Sequence, residues 1–176
     1  MRKSYAKKID DRAAQLLQSY GLSSIPIDVG AVADRLGAKV VYENLEDDVS
    51  GFLLRDKGAV TIAINEHQHP NRQRFTLAHE CGHLHLHADK GDRLWLDKAY
   101  FFRDSSSSRG YQLAEIQANQ FAAGLLMPED LLRVALSSAG AMDESVLVHL
   151  AAQFQVSERA MTVRLISLGL MDPVAA

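Results

Sequence analysis

The stretch RFTLAHECGHLHLH, residues 74–87, constrains this chain more than any other. His79 and His83 stand four residues apart, with Glu80 beside the first of them. On an α-helix, residues at that spacing share one face, about 6 Å apart along the axis. Both imidazoles can then bind one ion, and Glu80, offset around the helix, can reach a water on that ion without ligating it. This is the H-E-x-x-H arrangement of zinc peptidases. The helix itself is expected from Pro70, a favoured first residue, to about Ala88. Phe75, Ala78, Gly82 and Leu86 form its core stripe, and the two histidines sit just beside that stripe.

The remaining histidines of this region are poor ligands for the same ion. His87 lies eight residues beyond His79, about 12 Å along an unbroken helix, and His85 points to another side. The longer pattern H-E-x-x-H-x-x-G-x-x-H fails at Leu86 and Asp89. His85 and His87 therefore read as packing or surface residues, with His87 in reach of a hydrogen bond near the site. His67 and His69, in NEHQHP, read as loop residues. Cys81 points away from the His79–His83 face and reads as a small buried hydrophobe.

A third ligand is expected from AEIQANQFAAGLLMP. Its apolar face carries Ala118, Ala122, Leu125 and Leu126, and Glu115 projects into that face. A carboxylate placed there must be paired or bound to metal. Asn119, one turn later, is positioned to orient a ligating histidine. Three ligands leave a fourth zinc position open, the mark of a catalytic site. Glu80 is the expected general base. Tyr111, Tyr100, Arg103 and His149 are the candidates for stabilising the oxyanion, with nothing in the sequence to choose among them.

Around these motifs the chain alternates helices and short strands. Lys3–Tyr20 has helical spacing and ends at Gly21, and Asp28 caps a second helix. AKVVYENL, SGFLLRD and AVTIAIN read as three strands. If AVTIAIN is a sheet edge, its backbone can hold an extended substrate by strand addition; an ordinary interior strand is the alternative. Gly91–Gly110 is less regular, with AYFFRD as a candidate strand and Ser105–Ser108 as an expected mobile loop. A helix follows from about Tyr111 to Met127, another begins at Pro128, and two short helices around Gln155–Ser157 close the chain.

Composition narrows the setting. No apolar run approaches the roughly 20 residues of a membrane span, and no signal peptide is visible at the N-terminus. Cys81 is the only cysteine, so an intrachain disulfide is impossible and a cytoplasmic location is expected. The net charge is −3, against non-specific nucleic-acid binding. The C-terminal VLVHLAAQFQVSERAMTVRLISLGL has a helix-turn-helix cadence, yet residues 143–170 set Asp143, Glu144 and Glu158 against only Arg159 and Arg164. Packing or protein docking is the favoured role there, and direct DNA binding is not expected.

Taken together, RFTLAHECGHLHLH and EIQANQFAAGLLMP resemble the ImmA/IrrE family of bacterial zinc metallopeptidases. The resemblance extends to IPIDVGAVADRLGAKVVYE, SGFLL and FQVSERAMTVRLISLGL. It implies Zn2+ held by His79, His83 and Glu115, with Glu80 catalytic, in a gluzincin-like plan. It further implies cleavage of a helix-turn-helix repressor, releasing stress-response or mobile-element genes. The expected architecture is α+β: a small antiparallel or mixed three-stranded sheet against a zincin-like active-site helix. Residues 1–140 would form the peptidase core and 141–176 a helical extension packed on it, without the further domains of longer relatives. The alternatives are a non-proteolytic partner of such a regulator, of antirepressor or antitoxin type, and a DNA-binding regulator using the C-terminal helices.

Overall fold

A computed structural model of the chain describes residues 2–87, 94–98, 107–138 and 143–172. It is an α+β fold. The chain opens with α1 (Arg2–Tyr20) and α2 (Val29–Arg35), followed by strands β1 (Ala38–Glu43), β2 (Val49–Asp56) and β3 (Ala59–Asn65). Next come α3 (Pro70–Leu86), β4 (Leu94–Lys98) and α4 (Ser107–Leu126). Helices α5 (Glu129–Ser137), α6 (Glu144–Phe154) and α7 (Glu158–Ser167) complete the described elements.

The sheet order is β1-β3-β2-β4. β1 runs parallel to β3, while β2 is antiparallel to both β3 and β4. The three expected strands are in place, and β4 extends the sheet to four. Sequence reading had left LWLDK in an irregular stretch, because a five-residue edge strand carries too few alternations to register as a period. AYFFRD lies outside the described residues. Of the expected loop Ser105–Ser108, Ser107 and Ser108 belong to α4, and Ser105 and Ser106 lie outside the described residues.

β3 is a central strand, paired on both sides, so its backbone cannot receive a substrate as a sheet edge. Its position also explains its composition: Ile62, Ala63 and Ile64 are all buried, in sequence, because both faces of the strand are covered. The β2–β3 hairpin turns on Lys57 (φ 48°) and Gly58 (φ 84°), the paired positive φ values of a tight two-residue connection.

Two close approaches fix α3. A Cβ on Gly51 of β2 would fall 2.7 Å from Ala63 O and 2.7 Å from Thr76 Cγ2, so glycine lets the helix lie tight on the sheet. On its other side α3 packs chiefly on α4. Sandwiched in this way, Thr76 through Leu84 are buried without interruption. Burial therefore extends well beyond the stripe of Phe75, Ala78, Gly82 and Leu86 and takes in both histidines.

The terminal helices join the same core, with Leu150, Phe154, Met161 and Leu165 in one cluster with Ile9, Ala13 and Leu125. Arg164 of α7 is 2% exposed and is the largest fully buried side chain. Its Nη1 donates to both carboxylate oxygens of Asp10 on α1, each at 3.0 Å, and its Nε donates to Met127 O. Gln120 also donates to Asp10. In the sequence Arg164 counts only as one of two basic residues of the tail. The structure makes it a fastening between α7, α1 and the end of α4.

Candidate metal centre

His79 and His83 project from the middle of α3 at 3% exposure each, and Glu115 meets them from α4. His79 Nε2 lies 3.2 Å from Glu115 Oε2, and His83 Nε2 lies 3.0 Å from Glu115 Oε1. The two Nε2 atoms are 3.0 Å from each other. Among the described residues this is the one group of three or more His, Cys, Asp or Glu side chains able to share an ion.

A glycine makes the meeting possible. A Cβ on Gly82 would stand 3.1 Å from Ala118 Cα, 3.2 Å from Ala118 O and 3.2 Å from a ring carbon of Phe121. With no side chain at Gly82, the α3 and α4 backbones approach closely enough for the Glu115 carboxylate to span both imidazoles. Sequence reading placed Gly82 on the core stripe but missed this role. The signal available was a glycine inside a helical motif, where it otherwise weakens the helix.

Asn119 Oδ1 accepts from His79 Nδ1 at 3.1 Å. That bond puts the ring proton on Nδ1 and leaves the Nε2 lone pair aimed at the cluster. Two imidazole nitrogens and a carboxylate then converge on one point, an arrangement that repels itself unless a metal ion lies between them or, without a metal, the Nε2 atoms are protonated and donate to Glu115. The donor set fits a divalent metal bound by N, N and O. The Glu115 carboxyl is pulled two ways. Burial raises its pKa, but hydrogen bonds and charge from His79 and His83 outweigh burial and hold it at about 2. It is therefore an anion throughout the physiological range.

Glu80, the residue after His79 on α3, is fully buried. Cys81 is fully buried too, and burial together with the neighbouring Glu80 pushes its thiol pKa well above the ordinary value, as suits an inert packing residue. His85 stacks near Phe121, 5.4 Å between centroids, and burial lowers its pKa, with the Arg12 charge adding to the effect. His87 caps the end of α3, with its ring 5.7 Å from that of His83. His69 caps the start of α3 by accepting from Asn71 N, and His67 bonds Asn44. None of these four joins the three-residue group.

Of the oxyanion candidates, Tyr111 lies one turn before Glu115 on α4. His149 is exposed on α6, and among the described residues no hydrogen bond or ion pair connects it to the cluster. Tyr100 and Arg103 lie outside the described residues.

With this geometry in hand, the comparisons with known proteins are informative. Residues 33–165 match the family described as the IrrE N-terminal-like domain, and the chain belongs to that peptidase family. The radiation response metalloprotease IrrE of Deinococcus radiodurans is 38% identical over 96 residues, covering 54% of this chain and 27% of that protein. The protein of the same name from Deinococcus deserti is also 38% identical over 96 residues, covering 54% of this chain and 32% of its own length. The chain thus matches about a quarter to a third of each of these relatives. Among solved structures, a Mycobacterium tuberculosis transcriptional regulator superposes with a TM-score of 0.67 at 21% identity. The match covers 99% of this chain and 50% of that one, a likeness of fold. No helix among the described residues is long and apolar enough to cross a membrane.

Proposed function

We propose that this chain is a zinc-dependent endopeptidase whose substrate is a helix-turn-helix transcriptional repressor, cleaved to release stress-response or mobile-element genes. The observation that carries the reading is the convergence of His79, His83 and Glu115, with the buried Glu80 next to His79 in sequence. Membership in the IrrE-like family supports it.

His79, His83 and Glu115 hold the metal, and Asn119 keeps His79 in the tautomer that offers Nε2. Zinc, when bound, supplies a Lewis acid that polarises a carbonyl and lowers the pKa of water to about 7. The Glu80 carboxylate accepts a proton from the attacking water and returns it to the leaving amine. Acid–base help of this kind contributes roughly 10²–10⁴-fold. Its burial keeps bulk solvent away from that transfer. Tyr111 is the candidate, among the described residues, for donating to the oxyanion, being on the same helix as Glu115 and one turn away.

The test combines purified protein, zinc and the repressor encoded beside its gene. Cleavage at one site is expected. Glu80→Gln is expected to retain one zinc per chain and lose cleavage by at least about 10²-fold. Undiminished cleavage by that variant would remove Glu80 from the mechanism. An intact repressor held in a stable complex would instead support a non-proteolytic partner.

A further inference from the structure

An open groove of about 730 Å³ lies between α4, α7 and the first turns of α3. Asn119, which accepts from His79, stands on its wall, so a groove residue touches a member of the metal cluster. Its walls are apolar and uncovered. Ile116 on α4 is 62% exposed and Val163 on α7 is 60% exposed, with Phe75 of α3 between the two helices. Large apolar side chains gathered on a concave surface in this way mark an interaction site more often than scattered ones do.

The charge of the groove is one-sided. Arg72 and Arg159 line it, and among the described residues no Asp or Glu does, although the whole chain carries −3. Of the other lining arginines, Arg164 is already matched by Asp10 and Arg72 donates to Ser50 Oγ at 2.8 Å, which leaves Arg159 as the charge facing the groove. The lining runs from Ile116 to Met127 along α4 and its end, and from Val156 to Ser167 along α7 and its start, roughly 16 Å on each side at 1.5 Å per residue. That length takes two to three turns of a helix. Apolar walls suit side chains rather than phosphates, which favours a protein occupant over a nucleic acid.

We propose that this groove docks one amphipathic helix of a partner protein. Its apolar stripe lies between Ile116 and Val163, and a flanking Asp or Glu side chain meets Arg159. On the function proposed above the partner is the substrate, and the groove recognises it away from the scissile bond. The binding step itself does not depend on catalysis.

The test uses the full, zinc-loaded chain and two labelled synthetic peptides of four helical turns, read by fluorescence anisotropy. Both carry leucines at helical spacing; one has glutamates along the flanks, the other lysines. The glutamate peptide is expected to bind, and the lysine peptide to bind at least about tenfold more weakly. Val163→Asp and Arg159→Glu are each expected to weaken the glutamate peptide by about tenfold, with circular dichroism and zinc content unchanged. Ile116→Asp, on the opposite wall, repeats the test if Val163→Asp fails to fold. Glu80→Gln is expected to bind as the unmodified chain does. Binding without any proteolysis would remove the proposed activity and keep the dock. Repressor cleavage indifferent to Val163→Asp and Arg159→Glu would keep the activity and remove the dock. Equal or absent binding of the two peptides overturns the proposal. So does displacement of the peptide by short duplex DNA, or a self-association of the chain that Val163→Asp abolishes.

Discussion

Gly82 faces Ala118 so closely that a Cβ added to it would lie 3.1 Å from the Ala118 Cα. The contact is backbone against backbone, so no flexible side chain can yield. Gly82→Ala must push α3 and α4 apart by a few tenths of an ångström, against the gain in helix propensity. A net loss of about 1–3 kcal/mol is expected, as for other overpacked interiors. The same displacement moves Glu115 relative to His79 and His83. Urea unfolding of the metal-free protein and zinc affinity by chelator competition should both fall, and intact affinity would show that the close approach is not what aligns the ligands.

Asn119 Oδ1 accepts from His79 Nδ1, so in the proposed metal site it acts only through His79. Asn119→Ala removes the acceptor that fixes the tautomer, so zinc affinity should drop by about 10–100-fold, the range typical of such outer partners. Asn119→Asp, which retains an acceptor, should recover much of it. Competitive titration with a chromogenic chelator separates the two variants, and equal affinities would remove the positioning role.

Zinc itself is expected to stabilise the folded chain. At free zinc 100-fold above its Kd, the increment for a ligand that binds only the native state is about 2.7 kcal/mol. A chelator should remove that increment, and His83→Ala should lack it from the start. Differential scanning of both proteins with and without zinc gives the comparison.

The pH dependence of the metal-free protein follows from Glu115. Its carboxyl has an ordinary value near 4.5 and is held at about 2 in the fold, where the bonds and charges of His79 and His83 outweigh burial. A depressed carboxyl stabilises the native state above its unfolded value, and the stabilisation is lost as pH falls through the folded value. The advantage of the unmodified chain over Glu115→Gln should therefore be full above about pH 4.5 and shrink towards about pH 2. Chemical unfolding across that window, in chelator, measures it; a constant difference would mean that the histidines do not hold the carboxylate.

Arg164 and Asp10 form a buried pair between helices at opposite ends of the sequence. Removing one partner leaves the other charge without its counter-ion, so Arg164→Ala should lose about 3–5 kcal/mol. The double replacement Arg164→Met with Asp10→Leu should recover most of that loss, because both charges are then gone. A double-mutant cycle in urea shows whether the two residues act as one unit.

Much of the site was readable from local periodicity. The four-residue spacing of His79 and His83 places them on one face of any helix they belong to, and the same rule excludes His87 as a third ligand. Glu115 stood out as a carboxylate on an otherwise apolar face, and Asn119 followed one turn later. β4 escaped notice because a short edge strand leaves too weak a pattern. Ile116 and Val163 escaped because each sits off the core stripe of its own helix, and their shared groove exists only once α4 and α7 lie side by side. The burial of Arg164 was not legible, because it depends on a carboxylate, Asp10, far away in sequence.

The chain's order of residues by itself determined the helix of the H-E-x-x-H motif, its two inward histidines and the chemistry those side chains can perform. Helical geometry is local, at 3.6 residues per turn, so neighbours along one helix need no further information. The tertiary structure alone decided that β3 is interior, that α3 is buried along both sides, and that Glu115 closes on His79 and His83. Those outcomes depend on how near two backbones can come, which Gly51 and Gly82 permit by lacking a side chain where the sheet and α4 press against α3.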